Sequence, residues 1–258
     1  MAANNFSIPV QKESPVYQKS PLMQTIFRVE YDVFSPLSEA QRESFHQSIF
    51  LSFPKYEKKF PDVMLQNPNI AAPDSEQFVQ HVYRSDDETD QIEILSPSFT
   101  FWTLRYGSWE QFKEKTLANY HAFHKVFPAE PARICLRFVN FLPDDLLLRD
   151  NRPLKFYVNP LLCGPVADLP FLAGPVTEYS GNLEWMINEV DYIHMAYGSG
   201  FIPDTHGKKK MLFYIDTAVF GFDNSGQTLS DRLDLYHNKA YDAFRWSITE
   251  ELNGYFNA

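Results

Sequence analysis

The sequence predicts an α+β protein built as two mainly antiparallel sheets, each with helices packed on one face. Three observations predict it. Apolar residues alternate at period two in several segments; two Ser-capped segments repeat their apolar residues at helical spacing; and the chain closes on a long stripe of that same spacing. The first half runs strand, helix, three strands, helix, strand (βαβββαβ), the order of a ferredoxin-like unit with an inserted hairpin. The second half reads as strands followed by one long helix. The expected organisation is a flexible arm over residues 1–20, a ferredoxin-like lobe over 21–145 and a β-rich lobe over 146–258, the lobes packed as one unit.

The elements follow in order. From Thr25 to Val33 apolar and polar residues alternate, the mark of a half-buried strand. Ser35 and Pro36 suit the cap and first position of a helix whose face is Leu37, Gln41, Phe45, Ile49 and Phe53, and Pro54 stops it. A short strand is expected near 56–60. Two more are expected over 77–84 and 91–106, paired across the acidic turn Asp86-Asp87-Glu88, the second bent at Ser96-Pro97-Ser98. Ser108 with Gln111 three residues on forms a capping box for a helix with Trp109, Phe112, Thr116, Tyr120, Phe123 and Phe127 on its inner face.

The stretch 133–142, RICLRFVNFL, reads as a buried strand, yet it carries Arg137 and Asn140. An unpaired buried polar group costs several kcal/mol, so each needs a specific partner. Period two puts the two side chains on opposite faces, which argues against one site holding both. Beyond it, a short strand is expected over 154–158. Residues 159–176 form an apolar segment with Pro160, Pro165, Pro170 and Pro175 spaced five apart; it covers the core or docks on something else. Strands are expected over 182–191, 192–201 and 210–222. The final helix carries Leu229, Leu233, Tyr236, Ala240, Phe244, Ile248, Leu252 and Tyr255 in one stripe.

Composition excludes several function classes. A formal net charge of −10 argues against nucleic acid as the main ligand, because domains that grip phosphate concentrate Lys and Arg. The run Lys208-Lys209-Lys210 reads as a solvated hairpin tip. No apolar run is long enough to cross a bilayer, and the N-terminus lacks the pattern of a signal peptide, so a cytoplasmic protein is expected. Two cysteines, Cys135 and Cys163, with no paired spacing signal neither a zinc site nor a disulfide framework. His121 and His124 sit three apart without an acidic partner motif and read as a surface pair. No nucleotide-binding or hydrolase motif occurs; no catalytic residue, metal or cofactor is expected.

The polar residues inside apolar strands are the candidates that remain. Asp216 interrupts an apolar run, as Arg137 does, and Glu184 and Glu189 flank Trp185. Arg137, Asn140, Asp216 and Glu184 line a polar pocket on one reading. On the other, which is favoured, Arg137 and Asp216 form an ion pair that fixes strand pairing. Trp109, Leu161, Phe171 and Leu172 are candidates for an apolar contact with a partner, since aromatic and apolar anchors carry interfaces.

Ordered short motifs resemble a sporadically distributed prokaryotic family of uncharacterised proteins over roughly residues 20–256. They are Pro21-Leu22-Met23-Gln24 opening a strand, Tyr106-Gly107-Ser108-Trp109-Glu110-Gln111-Phe112 opening a helix, Arg133, Arg137, Phe138 and Asn140 in one strand, Ile215 and Asp216 in another, and His237, Ala243-Phe244 and Ile248-Thr249 in the last helix. Gln24 stands where the family has Glu, Phe138 where it has Tyr, and Tyr214 where it has Asp. The resemblance brings no established enzymatic activity to carry over. The family's patchy spread is that of accessory genes in defence, CRISPR-associated or toxin–antitoxin loci. The expected function is a non-enzymatic protein-interaction component with a protein partner, which also forms a homodimer. The alternatives are an enzyme or sensor holding an anionic small molecule or nucleotide near Arg137 and Asp216, and, last, a nucleic-acid-binding module.

Overall fold

The computed structural model describes residues 8–10, 16–32, 36–59, 79–95, 98–142, 152–169, 179–203, 209–222 and 226–258. Among them are nine strands and five α-helices: β1 (Leu22–Glu30), α1 (Glu39–Ile49), β2 (Lys55–Lys59), β3 (Gln80–Arg84), β4 (Asp90–Leu95), β5 (Ser98–Thr103), α2 (Trp109–Val126), β6 (Arg133–Leu142), α3 (Pro160–Cys163), β7 (Tyr179–Met186), β8 (Asp191–Pro203), β9 (Lys209–Phe222), α4 (Leu229–Ser247) and α5 (Glu250–Asn257). No helix among the described residues is long and apolar enough to cross a membrane. Lys208 lies outside the described residues.

The class is α+β, but the expected two sheets are one. All nine strands share a single sheet in the order β2-β3-β4-β5-β1-β6-β9-β8-β7. The reason lies in β6. On one side it runs antiparallel to β1: the Phe141 N–H donates to the Pro21 carbonyl and the Ala132 N–H to the Glu30 carbonyl, so partner numbers fall on one strand as they rise on the other. On its other side Arg137 meets Asp216 and Arg133 meets Phe220, which places β9 antiparallel beside it. A strand read from sequence as the end of one sheet therefore has neighbours on both sides, and among the described residues the strands after it join the same sheet.

Packing divides the chain into two units, one of residues 24–136 and 220–233, the other of 1–23, 137–219 and 234–258. In the first, β2 to β5 form a meander that returns to β1, with Tyr83 opposite Ile92, Ile92 opposite Phe101 and Phe101 opposite Phe27. These inward side chains meet α1 and α2. Phe45 of α1 lies edge-on to Tyr83 and Phe99, and Phe123 of α2 stacks on Phe99 at 4.8 Å. Helix α1 begins later than Ser35 suggests. Ser38 is the cap because it has a reciprocal partner: its Oγ accepts from the Gln41 N–H at 3.3 Å, and its own N–H donates to Gln41 Oε1 at 3.0 Å. The segment read as one bent strand over 91–106 is a hairpin, with Leu95 opposite Ser98. Ser108 caps α2 as its sequence implies, accepting from the Gln111 N–H.

In the second unit, β7 and β8 pair from Tyr179–Ser199 to Met186–Tyr192. Asp191 is 2 % exposed and accepts from the Tyr236 hydroxyl at 2.5 Å and the Asn188 amide at 2.7 Å. The short strand expected over 154–158 is a 3₁₀ turn, Leu154–Phe156, followed by one isolated bridge from Val158 to Ile248. That bridge and Thr249 also break the long terminal helix in two. The Thr249 N–H donates to the Tyr157 carbonyl at 3.0 Å and its hydroxyl to the Phe156 carbonyl at 2.7 Å; the same hydroxyl oxygen caps α5 by accepting from the Leu252 N–H. Beyond the break the buried positions are Leu252 and Phe256, so the stripe shifts off Tyr255. Residues 16–20 lie along α5: the Tyr17 hydroxyl donates to Asn253 Oδ1 at 3.1 Å, and the Lys19 N–H to the Phe256 carbonyl at 3.0 Å.

Candidate interaction surface

Strand β6 alternates strictly. Ile134, Leu136, Phe138, Asn140 and Leu142 are buried, while Arg133, Cys135, Arg137, Val139 and Phe141 reach solvent to different degrees. The guanidinium of Arg137 is therefore not a core group. It forms a fork with Asp216, Nε donating to Oδ1 at 2.7 Å and the second limb from Nη2 to Oδ2. The Arg137 side chain is 46 % exposed and the Asp216 side chain 13 %. Asn140 is buried on the opposite side and donates from Nδ2 to the main-chain carbonyl of Ile215 at 3.3 Å. The structure thus joins Arg137 to Asp216 and keeps Asn140 apart from both, tied to the backbone of β9. Glu184 stands opposite His194 of β8.

The apolar candidates divide as well. Trp109 is the first residue of α2, half-buried, with its ring 6.1 Å from that of Phe112. Leu161, on α3, is 73 % exposed. Phe171 and Leu172 lie outside the described residues. His124 stacks on Tyr120 at 5.7 Å. Cys163 is fully buried, and burial pushes its thiol up to about 12.

The feature that sequence reasoning missed is the face of the first unit's strands opposite its helices. There the charges are matched in place. Glu30 accepts from Arg133 Nε at 2.7 Å and pairs with Arg28 at 3.0 Å, and the Arg133 guanidinium lies over the Phe220 ring at 5.6 Å. Glu93 accepts from the Trp102 indole N–H at 2.9 Å and from Gln80 at 2.8 Å; Arg84 donates to Gln91 at 2.7 Å and to Glu57 at 2.8 Å. Ile26, Thr100 and Trp102 are half-buried between these groups. The signal was present in the parity of each strand: Ile26, Arg28 and Glu30 share one face of β1, and Thr100 and Trp102 one face of β5.

A second grouping lies on the helix side of that unit, at the β2 edge. Arg42 donates to the Tyr56 hydroxyl at 3.1 Å, and that hydroxyl is 2.9 Å from Nδ1 of His81. They line a pocket of about 280 Å³ with Leu37, Glu39, Lys58 and Val79. Nearby, the Tyr83 hydroxyl is buried without a hydrogen-bond partner, and burial, then the Tyr56 phenol, drive its ionisation well above the ordinary value. Among the described residues no group of His, Cys, Asp and Glu is arranged to hold a metal ion. No protein-family model matches the chain, and no curated protein matches it.

Proposed function

We propose that this chain is a protein-interaction component that meets its partner with the face of strands β1 to β5 opposite α1 and α2. The observation that carries the reading is the pairing of charge on that face. Each guanidinium there already has a carboxylate or an aromatic ring, and Glu93 already has three donors. Among the described residues these pairings occupy the guanidiniums and carboxylates that a phosphate backbone or acid–base chemistry would use. Its half-exposed Ile26 and Trp102, ringed by paired charges, fit the make-up of a protein contact, in which aromatics anchor and polar groups fix register. A role as an accessory or regulatory protein of a defence, CRISPR-associated or toxin–antitoxin locus draws its support from the family resemblance.

The test is capture from the native host with tagged full-length protein, comparing wild type, Ile26→Glu with Trp102→Ala, and a control substitution at Leu51, which is 98 % exposed. A protein retained by wild type and the control but lost from the face variant supports the reading. Identical captures by all three forms sink it.

A second reading, binding of a small anion, has the Arg42–Tyr56–His81 pocket in its favour, although Glu39 lies 3.2 Å from Arg42 and competes for it. A heat of binding for inorganic pyrophosphate that vanishes in Arg42→Ala would favour this reading. No heat with wild type would remove it.

A further inference from the structure

Among the described residues the nine-stranded sheet ends on β2 at one edge and β7 at the other, and the two edges are built differently. Strand β2 has five residues, KYEKK, follows Pro54 and carries three lysines. Short length, lysine and proline are the usual means of keeping an edge from pairing with another chain. Strand β7, YSGNLEWM, has eight residues, no lysine and no proline.

The hydrogen-bonding parity of β7 follows from its hairpin. The Ile187 N–H donates to the Asp191 carbonyl at 2.8 Å, so 187 and 191 form a bonded pair. Bonded and non-bonded pairs alternate in an antiparallel ladder. Trp185 with Ile193, Leu183 with Met195 and Gly181 with Tyr197 are thus bonded toward β8. The N–H and C=O groups of Ser180, Asn182, Glu184 and Met186 point away from the sheet. All four residues are exposed, Met186 to 59 %.

We propose that β7 pairs with β7 of a second copy of this chain, antiparallel across a two-fold axis at Leu183. This uses a surface other than the face proposed above. The four outward residues are symmetric about 183, so this register alone lets each of them exchange both main-chain bonds with a counterpart. Asn182 then faces Glu184 of the partner copy, an amide donor opposite a carboxylate. Ser180 faces Met186 of the partner copy. Shifting the axis by one residue to 184 would set Glu184 against its own copy, and like charges directly opposite are destabilising. On the other side of the strand Leu183 meets its copy, and Trp185 meets Gly181, beside which the ring of Tyr197 already lies. The contact is isologous, the same patch used twice, as a closed two-fold dimer requires.

The register makes the test specific. Sedimentation analysis of the full chain should give a dimer for wild type. Ser180→Lys with Met186→Lys sets lysine against lysine at both ends and should give a monomer with an unchanged circular dichroism spectrum. Ser180→Lys with Met186→Glu places opposite charges across the same contacts and should keep the dimer. Leu183→Cys should form a disulfide-linked dimer under mild oxidation, since facing non-bonded residues have Cα atoms about 4.5 Å apart. A monomeric wild type overturns the proposal, as does a dimer that survives the double lysine substitution.

Discussion

Asn140 gives its side-chain amide to the main-chain carbonyl of Ile215 at 3.3 Å from the buried side of β6, three residues from the solvent-facing fork of Arg137. This hydrogen bond satisfies a buried polar group on the same face of β6 as Phe138, whose ring is 5.9 Å from that of His237. Asn140→Ala removes the donor and leaves a small cavity, and should cost about 1–2 kcal/mol. Asn140→Asp places a carboxylate against a carbonyl oxygen and should cost more than the alanine. Denaturant unfolding of the two variants checks the order; equal losses would mean that the amide donor is not what the site needs.

Arg137 and Asp216 should behave as a partly exposed ion pair. Because the Arg137 side chain is 46 % exposed, solvent screens the pair, and a double-mutant cycle of Arg137→Met and Asp216→Asn should return a coupling of about 0.5–1 kcal/mol that shrinks with salt. A coupling that salt leaves unchanged would assign the effect to packing of the arginine stem.

Asp87 ties the β3–β4 turn. Its carboxylate accepts from the Ser85 hydroxyl at 2.8 Å and from the N–H and hydroxyl of Thr89, and these bonds, that from Ser85 foremost, hold its pKa at about 2 against the ordinary 3.8. A carboxylate depressed by folding contributes stability in full above its unfolded pKa and loses it as pH falls through the folded one. The stability gap between wild type and Asp87→Asn should therefore be constant above pH 3.8 and close as the pH approaches 2. Acid titrations of both proteins test it, and a gap that widens on acidification would contradict the assignment.

The two cysteines should differ in reactivity. Cys135 is half-exposed on the Arg133 and Arg137 side of β6, whereas Cys163 is fully buried, its thiol near the Val158 and Asn159 carbonyls and raised to about 12. Only thiolate reacts, so a thiol reagent at mildly alkaline pH should modify one cysteine in the folded protein and two after unfolding. Cys135→Ser should abolish the first reaction. Fast modification in that variant would place Cys163 in contact with solvent.

Local chemistry was the legible part of the sequence. Ser108 with Gln111 and the alternation in β1 and β6 follow from rules acting within a few residues or along one strand; the Arg137–Asp216 partnership, 79 residues apart, follows only from the partner that each charge in an apolar strand needs. Two things were not legible. Whether β6 closes one sheet or joins another depends on β9, more than seventy residues away, and nothing in RICLRFVNFL states which side of that strand is occupied. The break in the last helix was hidden because Ile248 and Leu252 keep helical spacing across it; the interruption comes from carbonyls of Phe156 and Tyr157, which a periodicity argument does not see. The face with Trp102, Glu93 and Arg133 was visible as parity in separate strands, but its charge matching appears only once those strands are neighbours.

The unit of residues 24–136 also contains 220–233, and this interleaving bears on how the molecule is made. Arg232 and Leu233 are almost wholly buried, and Phe220 supplies the ring beneath Arg133. A ribosome that has delivered the first 136 residues has released a nascent chain still missing those groups, and it must synthesise some hundred more before they emerge. During that interval strands with apolar faces wait without their full complement, the condition in which chaperones engage growing chains. A fragment ending near residue 145 inherits the same deficit permanently, so cutting the gene there would yield an aggregation-prone piece rather than a free-standing lobe.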